Sequence, residues 1–114
     1  MHPILRNLKA VGGYFRTPEE KAKILSLIGH AEPVPVAFKV EPENPHDPHA
    51  VAVMVDVAGE WVHGGYIPAT VSALFAHFLA ENSGLVAASC DVGTAKGQPE
   101  ITVSVSLTVT AHHG

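Results

Sequence analysis

Apolar positions along this chain switch between two spacings, and the switches predict a strand-rich order broken by two helices. Leu8–Tyr14 reads as a first strand, with Gly12-Gly13 marking a bulge or a close backbone approach. Thr17-Pro18-Glu19-Glu20 then has the form of a helix start: Thr17 can cap, Pro18 suits the first helical position, and Glu20 closes a capping box. That helix runs through Ile24, Leu25 and Ile28 and stops near Gly29. Val34–Glu41 and Ala50–Asp56 read as strands, and the second is so continuously apolar that a central place in a sheet is expected. Asp56-Val57-Ala58-Gly59 supplies a turn, and Trp61–Ile67 returns as a further strand across Gly64-Gly65. Trp61, at its start, is read as a packing residue.

Pro68 opens a second helix, whose Val71, Leu74, Phe75, Phe78 and Leu79 form one stripe at helical spacing, with Phe75 and Phe78 in the core. Asn82-Ser83-Gly84 ends it. Leu85–Val92 and Ile101–Val109 are the last strands, joined by a loop over Gly93–Pro99. In the final strand Ile101, Val103, Val105, Leu107 and Val109 alternate with Thr102, Ser104, Ser106 and Thr108, which requires an antiparallel strand buried on one face. The order β-α-β-β-β-α-β-β predicts a mainly β fold, a small, partly closed, OB-like barrel. One domain fills residues 1–114, with a core over about 8–110 and flexible tails at 1–5 and 111–114.

Charge changes the picture by its distribution. The net charge is −4, yet six of the seven basic residues lie in the first 39 positions, leaving that part +3 and the remainder −7. A broad phosphate-binding face is excluded, and an anionic ligand is expected against surface from the first third. A single cysteine, Cys90, rules out an intrachain disulfide and fits a reducing cytoplasm. With no apolar stretch of bilayer length and no signal-peptide core, a soluble cytoplasmic protein is expected, with no membrane partner.

The candidate chemistry concentrates in Glu41-Pro42-Glu43-Asn44-Pro45-His46-Asp47-Pro48-His49-Ala50. Each proline fixes its own φ and keeps its predecessor out of the helical region, while Asn44 and Asp47 can bond their own backbone. A stiff polar loop between buried strands follows: either a rigid connector or a recognition site. With Val11-Gly12, the Val51–Val55 strand, Gly65-Tyr66-Ile67-Pro68 and the helix carrying Ala73 and Leu74, this loop resembles the HIRAN domain family over about Lys9 to Glu81.

The resemblance implies an OB-like barrel that binds single-stranded DNA, in some members at a free 3′ end, without catalysis or cofactor, in DNA repair or replication-associated processing. In that role Asp47 would accept a hydrogen bond from a terminal 3′-hydroxyl, and Asn44 would orient the loop or touch a base edge. Tyr14, Phe15, His46 and Tyr66 would be stacking surfaces, and Arg16 and Lys39 phosphate contacts. The chain has no phosphate loop of the Gly-x-x-x-x-Gly-Lys kind, so a separate ATPase or nuclease would be its enzymatic partner. It departs from the family at His46, where Tyr is usual, and at Pro68-Ala69, where a basic residue is usual. Two other readings stand beside this one. The hydroxyl-lined last strand would offer an edge for docking a protein. His46, Asp47, His49 and His63 would offer metal ligands for a hydrolase-associated domain, though their spacing matches no structural zinc pattern.

Overall fold

The computed structural model describes residues 2–12 and 17–107. Its elements are β1 (His2–Lys9), α1 (Pro18–Leu25), β2 (Val34–Glu41), β3 (Ala50–Val57), β4 (Glu60–Tyr66), α2 (Ala69–Glu81), β5 (Val86–Ala95) and β6 (Gln98–Leu107), in the predicted order. The strands form one antiparallel sheet in the order β1-β6-β5-β2-β3-β4.

Two features turn this sheet into a partly closed barrel. At one seam, β2 touches β5 only at Val34–Cys90 and Pro35–Ser89, so the strands splay apart beyond that point. At the other, the chain leaving β1 changes partner. The Ala10 N–H donates to the Ile101 carbonyl at 3.0 Å, and Val11 then exchanges two backbone bonds with Tyr66 on β4, at 2.8 and 2.7 Å. A short bridge thereby joins the two outer strands.

Strand β1 begins earlier than the apolar pattern predicts. Its register against β6 slips between Leu5 and Leu8, where Asn7 takes φ 58°, a bulge that breaks the alternation a strand is read from. Residues 2–5, expected as a tail, are the first half of this strand, with His2 opposite Leu107. The expected Gly93–Pro99 loop is likewise a tight hairpin. Ala95 pairs with Gln98 around Lys96 and Gly97, both at positive φ (54° and 75°), the backbone a two-residue turn requires. Pro99 is tolerated in β6 because it lies beyond Thr102, the last residue of β6 paired with β1.

The core is the barrel interior. Val51, Val53 and Val55 of β3 and Val103 and Val105 of β6 are fully buried, as is Ile24 of α1. Helix α1 starts with the predicted capping box: the Glu20 N–H donates to Thr17 Oγ1 at 3.1 Å, and the Thr17 N–H donates to Glu20 Oε1 at 2.8 Å. Helix α2 is rotated from its predicted stripe. Phe75 is buried edge-on to Phe38, with ring centroids 4.9 Å apart, and Phe78 and Leu79 pack partly against the core. Val71 and Leu74 face outward, Leu74 75% exposed, while Ser72 faces in at 1%. The final strand alternates buried and half-buried residues as predicted up to Leu107. From Thr102 to Leu107 it lies between β1 and β5, so Thr102, Ser104 and Ser106 offer no free edge, and the docking reading built on those hydroxyl-bearing residues is corrected here. Among the described residues no helix is long and apolar enough to cross a membrane.

Candidate nucleic-acid interface

The loop after β2 is organised by two side chains. Asn44 Oδ1 accepts from the N–H groups of His46 (2.9 Å) and Asp47 (3.2 Å), and its Nδ2 donates to Glu41 Oε1 at 3.1 Å. Asp47 Oδ1 accepts from the His49 N–H at 2.8 Å, and the Asp47 carbonyl accepts from Ala50 N at 3.0 Å, the point where β3 begins. Pro42, Pro45 and Pro48 contribute no N–H; the Asn44 N–H donates to the Glu41 carbonyl at 3.0 Å, and those of His46, Asp47 and His49 go to the Asn44 and Asp47 side chains, which stiffens the loop.

The second Asp47 oxygen reaches across the fold. Ser72 Oγ, in the buried face of α2, donates to Oδ2 at 2.7 Å. The helix has Pro68 at its N-cap and no side-chain cap of its own, so Asp47 supplies the negative charge that a helix start favours. The Ser72 bond first, and the His49 backbone bond second, hold the Asp47 carboxyl below its ordinary range against the opposing effect of desolvation. Asp47 is therefore ionised at neutral pH and is aimed by two fixed donors.

Beside the loop lies a groove of about 660 Å³. Asn44, His46 and Asp47 form one wall, Val11 and Gly12 the other, and Tyr66 and Ile67 lie between them with Ala50 and Ala69. Tyr66 is fixed by its hydroxyl, which donates to Glu41 Oε1 at 3.0 Å, the same oxygen that accepts from Asn44. Burial, and then the bond to Glu41, push the Tyr66 hydroxyl pKa up. The Val11 wall depends on a glycine. Gly65 sits at φ +145°, and a Cβ there would lie 2.7 Å from the Val11 carbonyl oxygen. Among the described residues the groove lining holds one carboxylate, Asp47, and no lysine or arginine.

The sequence profile of the HIRAN domain matches residues 16–112. The chain belongs to the HIRAN domain family. HIRAN domains are DNA-binding modules, generally non-catalytic, and membership supports nucleic-acid binding by this chain. The fold is similar to that of a protein from Lactobacillus plantarum, structural genomics target LpR91B. That likeness has a TM-score of 0.62 at 16% identity and covers 93% of this chain and 95% of that one. It is also similar to the HIRAN domain of human HLTF, with TM-score 0.57 at 16% identity, over 90% of this chain and 75% of that one. No curated protein matches the sequence.

The HIRAN groove brings together four residues singled out from the sequence: Asn44, His46, Asp47 and Tyr66. Lys39 is exposed on β2 opposite Ala52 and does not line the groove. Tyr14, Phe15 and Arg16 lie outside the described residues, immediately beyond Gly12. Among the described residues no three His, Cys, Asp or Glu side chains gather as metal ligands, so His46, Asp47, His49 and His63 do not converge. Sequence reasoning missed Ser72 and the part Glu41 plays in tying Tyr66 to the loop. Ser72 had a signal: it is a hydroxyl set among Val71, Ala73, Leu74 and Phe75 near the start of α2, and a serine buried in such a run needs a partner.

Proposed function

We propose that this HIRAN domain binds single-stranded DNA with a free 3′-hydroxyl end seated in the groove against Asp47, and carries out no chemistry of its own. The observation that carries this reading is the lone, ionised carboxylate in a groove whose described lining holds no cation. Each Asp47 oxygen accepts one internal bond and keeps a further acceptor site, suited to a hydroxyl donor. A terminal phosphate there would face like charge with no lysine or arginine among the described lining residues to offset it. The apolar residues Val11, Ile67 and Ala50 suit the face of a terminal base, with Tyr66 and His46 as stacking rings and Asn44 holding the loop. Lys39, exposed on β2 outside the groove lining, serves as a phosphate contact, and Arg16 is proposed as a second. A domain of this kind would deliver strand ends to a separate ATPase or nuclease during repair or replication.

The test is fluorescence anisotropy at low salt with labelled strands that differ only at the 3′ terminus. The hydroxyl end is expected to bind more tightly than the phosphate end, and Asp47→Asn to narrow that difference. Equal affinity for both ends in the wild-type protein would refute end recognition, and no binding to any strand would refute the DNA reading of the groove.

A further inference from the structure

Tyr66, which lines the groove, also belongs to one face of the β2-β3-β4 sheet. Side chains alternate across a strand, so the register separates the two faces. Phe38–Val53, Val40–Val51 and Val55–Val62 are opposed pairs on the inner face. The opposite face carries the row Lys39–Ala52–Tyr66, then Ala37–Met54–His63, then Asp56–Trp61; Ala52 is fully buried, Ala37, Met54, His63 and Tyr66 are half-buried, and Lys39 and Trp61 are exposed. The register shift between Val53 and Met54 places His63 and Tyr66 on this same face, with ring centroids 4.9 Å apart.

Trp61, read from the sequence as a packing residue, ends this line of rings at 51% exposure. The carboxylates around it are engaged: Glu60 is held by Lys23 at 2.8 Å, and Asp56 accepts from the Gly59 N–H at 2.8 Å. Lys39 is exposed in the row of Tyr66 and makes no ion pair among the described residues.

We infer that this face is a second binding segment for the DNA strand, with Trp61 as a distal stacking platform and Lys39 as a phosphate contact, continuing from the groove through Tyr66. This rests on the groove reading, because Tyr66 belongs both to the groove and to the face. Tyr66 and Trp61 lie opposite Ala52 and Asp56, four residues apart on β3, which is about 13 Å at a strand rise of about 3.3 Å per residue. Stacked nucleotides advance about 3.4 Å each, so Trp61 lies about four nucleotides from the seated end. The occupant is single-stranded nucleic acid, because the face offers ring surfaces together with the unpaired Lys39 cation, the combination that binds strands without base readout.

Trp61 is the sole tryptophan, so its fluorescence reports on this platform alone. An octanucleotide with a 3′-hydroxyl is expected to quench Trp61. A dinucleotide that displaces labelled octamer is expected to leave the fluorescence unchanged. Trp61→Leu, which keeps apolar bulk, should weaken the octamer roughly 5-fold or more and leave the dinucleotide unaffected. Lys39→Ala, on an exposed site, should weaken the octamer and reduce the slope of log affinity against log salt by about 1. An octamer that binds fully without quenching, with Trp61→Leu and Lys39→Ala both at wild-type affinity, overturns the second segment and leaves the groove standing. Quenching by an octamer that is indifferent to its 3′ terminus and to Asp47→Asn supports the segment and overturns end recognition. Absence of all binding overturns both.

Discussion

Replacing Gly65 with alanine tests whether the Val11–Tyr66 bridge both closes the barrel and builds the groove. The added Cβ would meet the Val11 carbonyl oxygen at 2.7 Å, and this is the atom that accepts from Tyr66 N in the bridge. A backbone atom cannot rotate away, so the bridge must open. Its two bonds contribute about 1 kcal/mol each, and alanine at a φ of this kind costs about 1–3 kcal/mol more. The total of about 3 kcal/mol or above corresponds to a fall in Tm of roughly 10–20 °C for a small domain. Gly64→Ala is the control. Its Cβ would strike Ile101 Cδ1 at 2.6 Å and Val55 Cγ2 at 2.9 Å, both tips of core side chains. Overpacking costs about 1–3 kcal/mol but leaves the bridge alone. Thermal melts followed by circular dichroism should show both variants destabilised, Gly65→Ala more so. Anisotropy at a temperature where both are folded should show strand affinity lost only in Gly65→Ala, because only that change displaces Val11 and Gly12. Wild-type stability in Gly65→Ala, or equal loss of binding in the two variants, would refute the reasoning.

Three further outcomes follow from individual groups. The Asp47 carboxyl is held below its ordinary value of 3.8, so its contribution to stability is complete above that pH and is lost as pH falls through the lowered folded value; acid melts below pH 3.8 should fall more steeply for wild type than for Asp47→Asn. Burial pushes the Cys90 thiol up to about 12, so a thiol reagent at pH about 8, where an exposed cysteine reacts readily, should label it only after denaturant is added. Among the described residues His63 Nε2 is buried without a hydrogen-bond partner, so His63→Phe should stabilise the fold by about 1 kcal/mol in urea titration, and an unchanged midpoint would contradict that.

How far the sequence revealed this arrangement depends on whether each signal was local. Val34–Glu41 was bounded correctly because its inner residues face the core and turn chemistry follows at once. The capping box of α1 was legible because its partners lie three residues apart. Strand β1 was not, since its extent is dictated by pairing with β6, far along the chain, and its alternation is broken at Asn7. The orientation of α2 was also hidden. Its apolar residues allow more than one inward face, and the observed one sets Ser72 against Asp47 and Phe75 against Phe38, contacts between residues far apart in the chain. At the site, the proline spacing and the Asn and Asp before two of the prolines marked Asn44 and Asp47. The carboxylate of Glu41 gave no such signal, because its partner Tyr66 arrives only with the register of β4.

The connector and recognition readings of the proline loop converge on the same bonds. A free aspartate at a groove lip would be mobile, hydrated and able to turn away from a ligand. Asp47 has one oxygen bonded to His49 N and the other to Ser72 Oγ, so its plane is set by the loop on one side and by the helix on the other. Those bonds are what a structural connector needs, and they also keep the carboxylate charged and pointed. On the proposed reading, the acceptor sites left over would meet a hydroxyl without any reordering of the protein, the condition under which a single hydrogen bond contributes most to binding. Asn44 does the same for the loop that Ser72 does for Asp47, and Glu41 extends the constraint to Tyr66. A carboxylate, a ring and a stiff loop are thus held as one body, and binding loss on mutating Asp47 is diagnostic only when Ser72→Ala, which removes the tie and leaves the charge, is measured beside it.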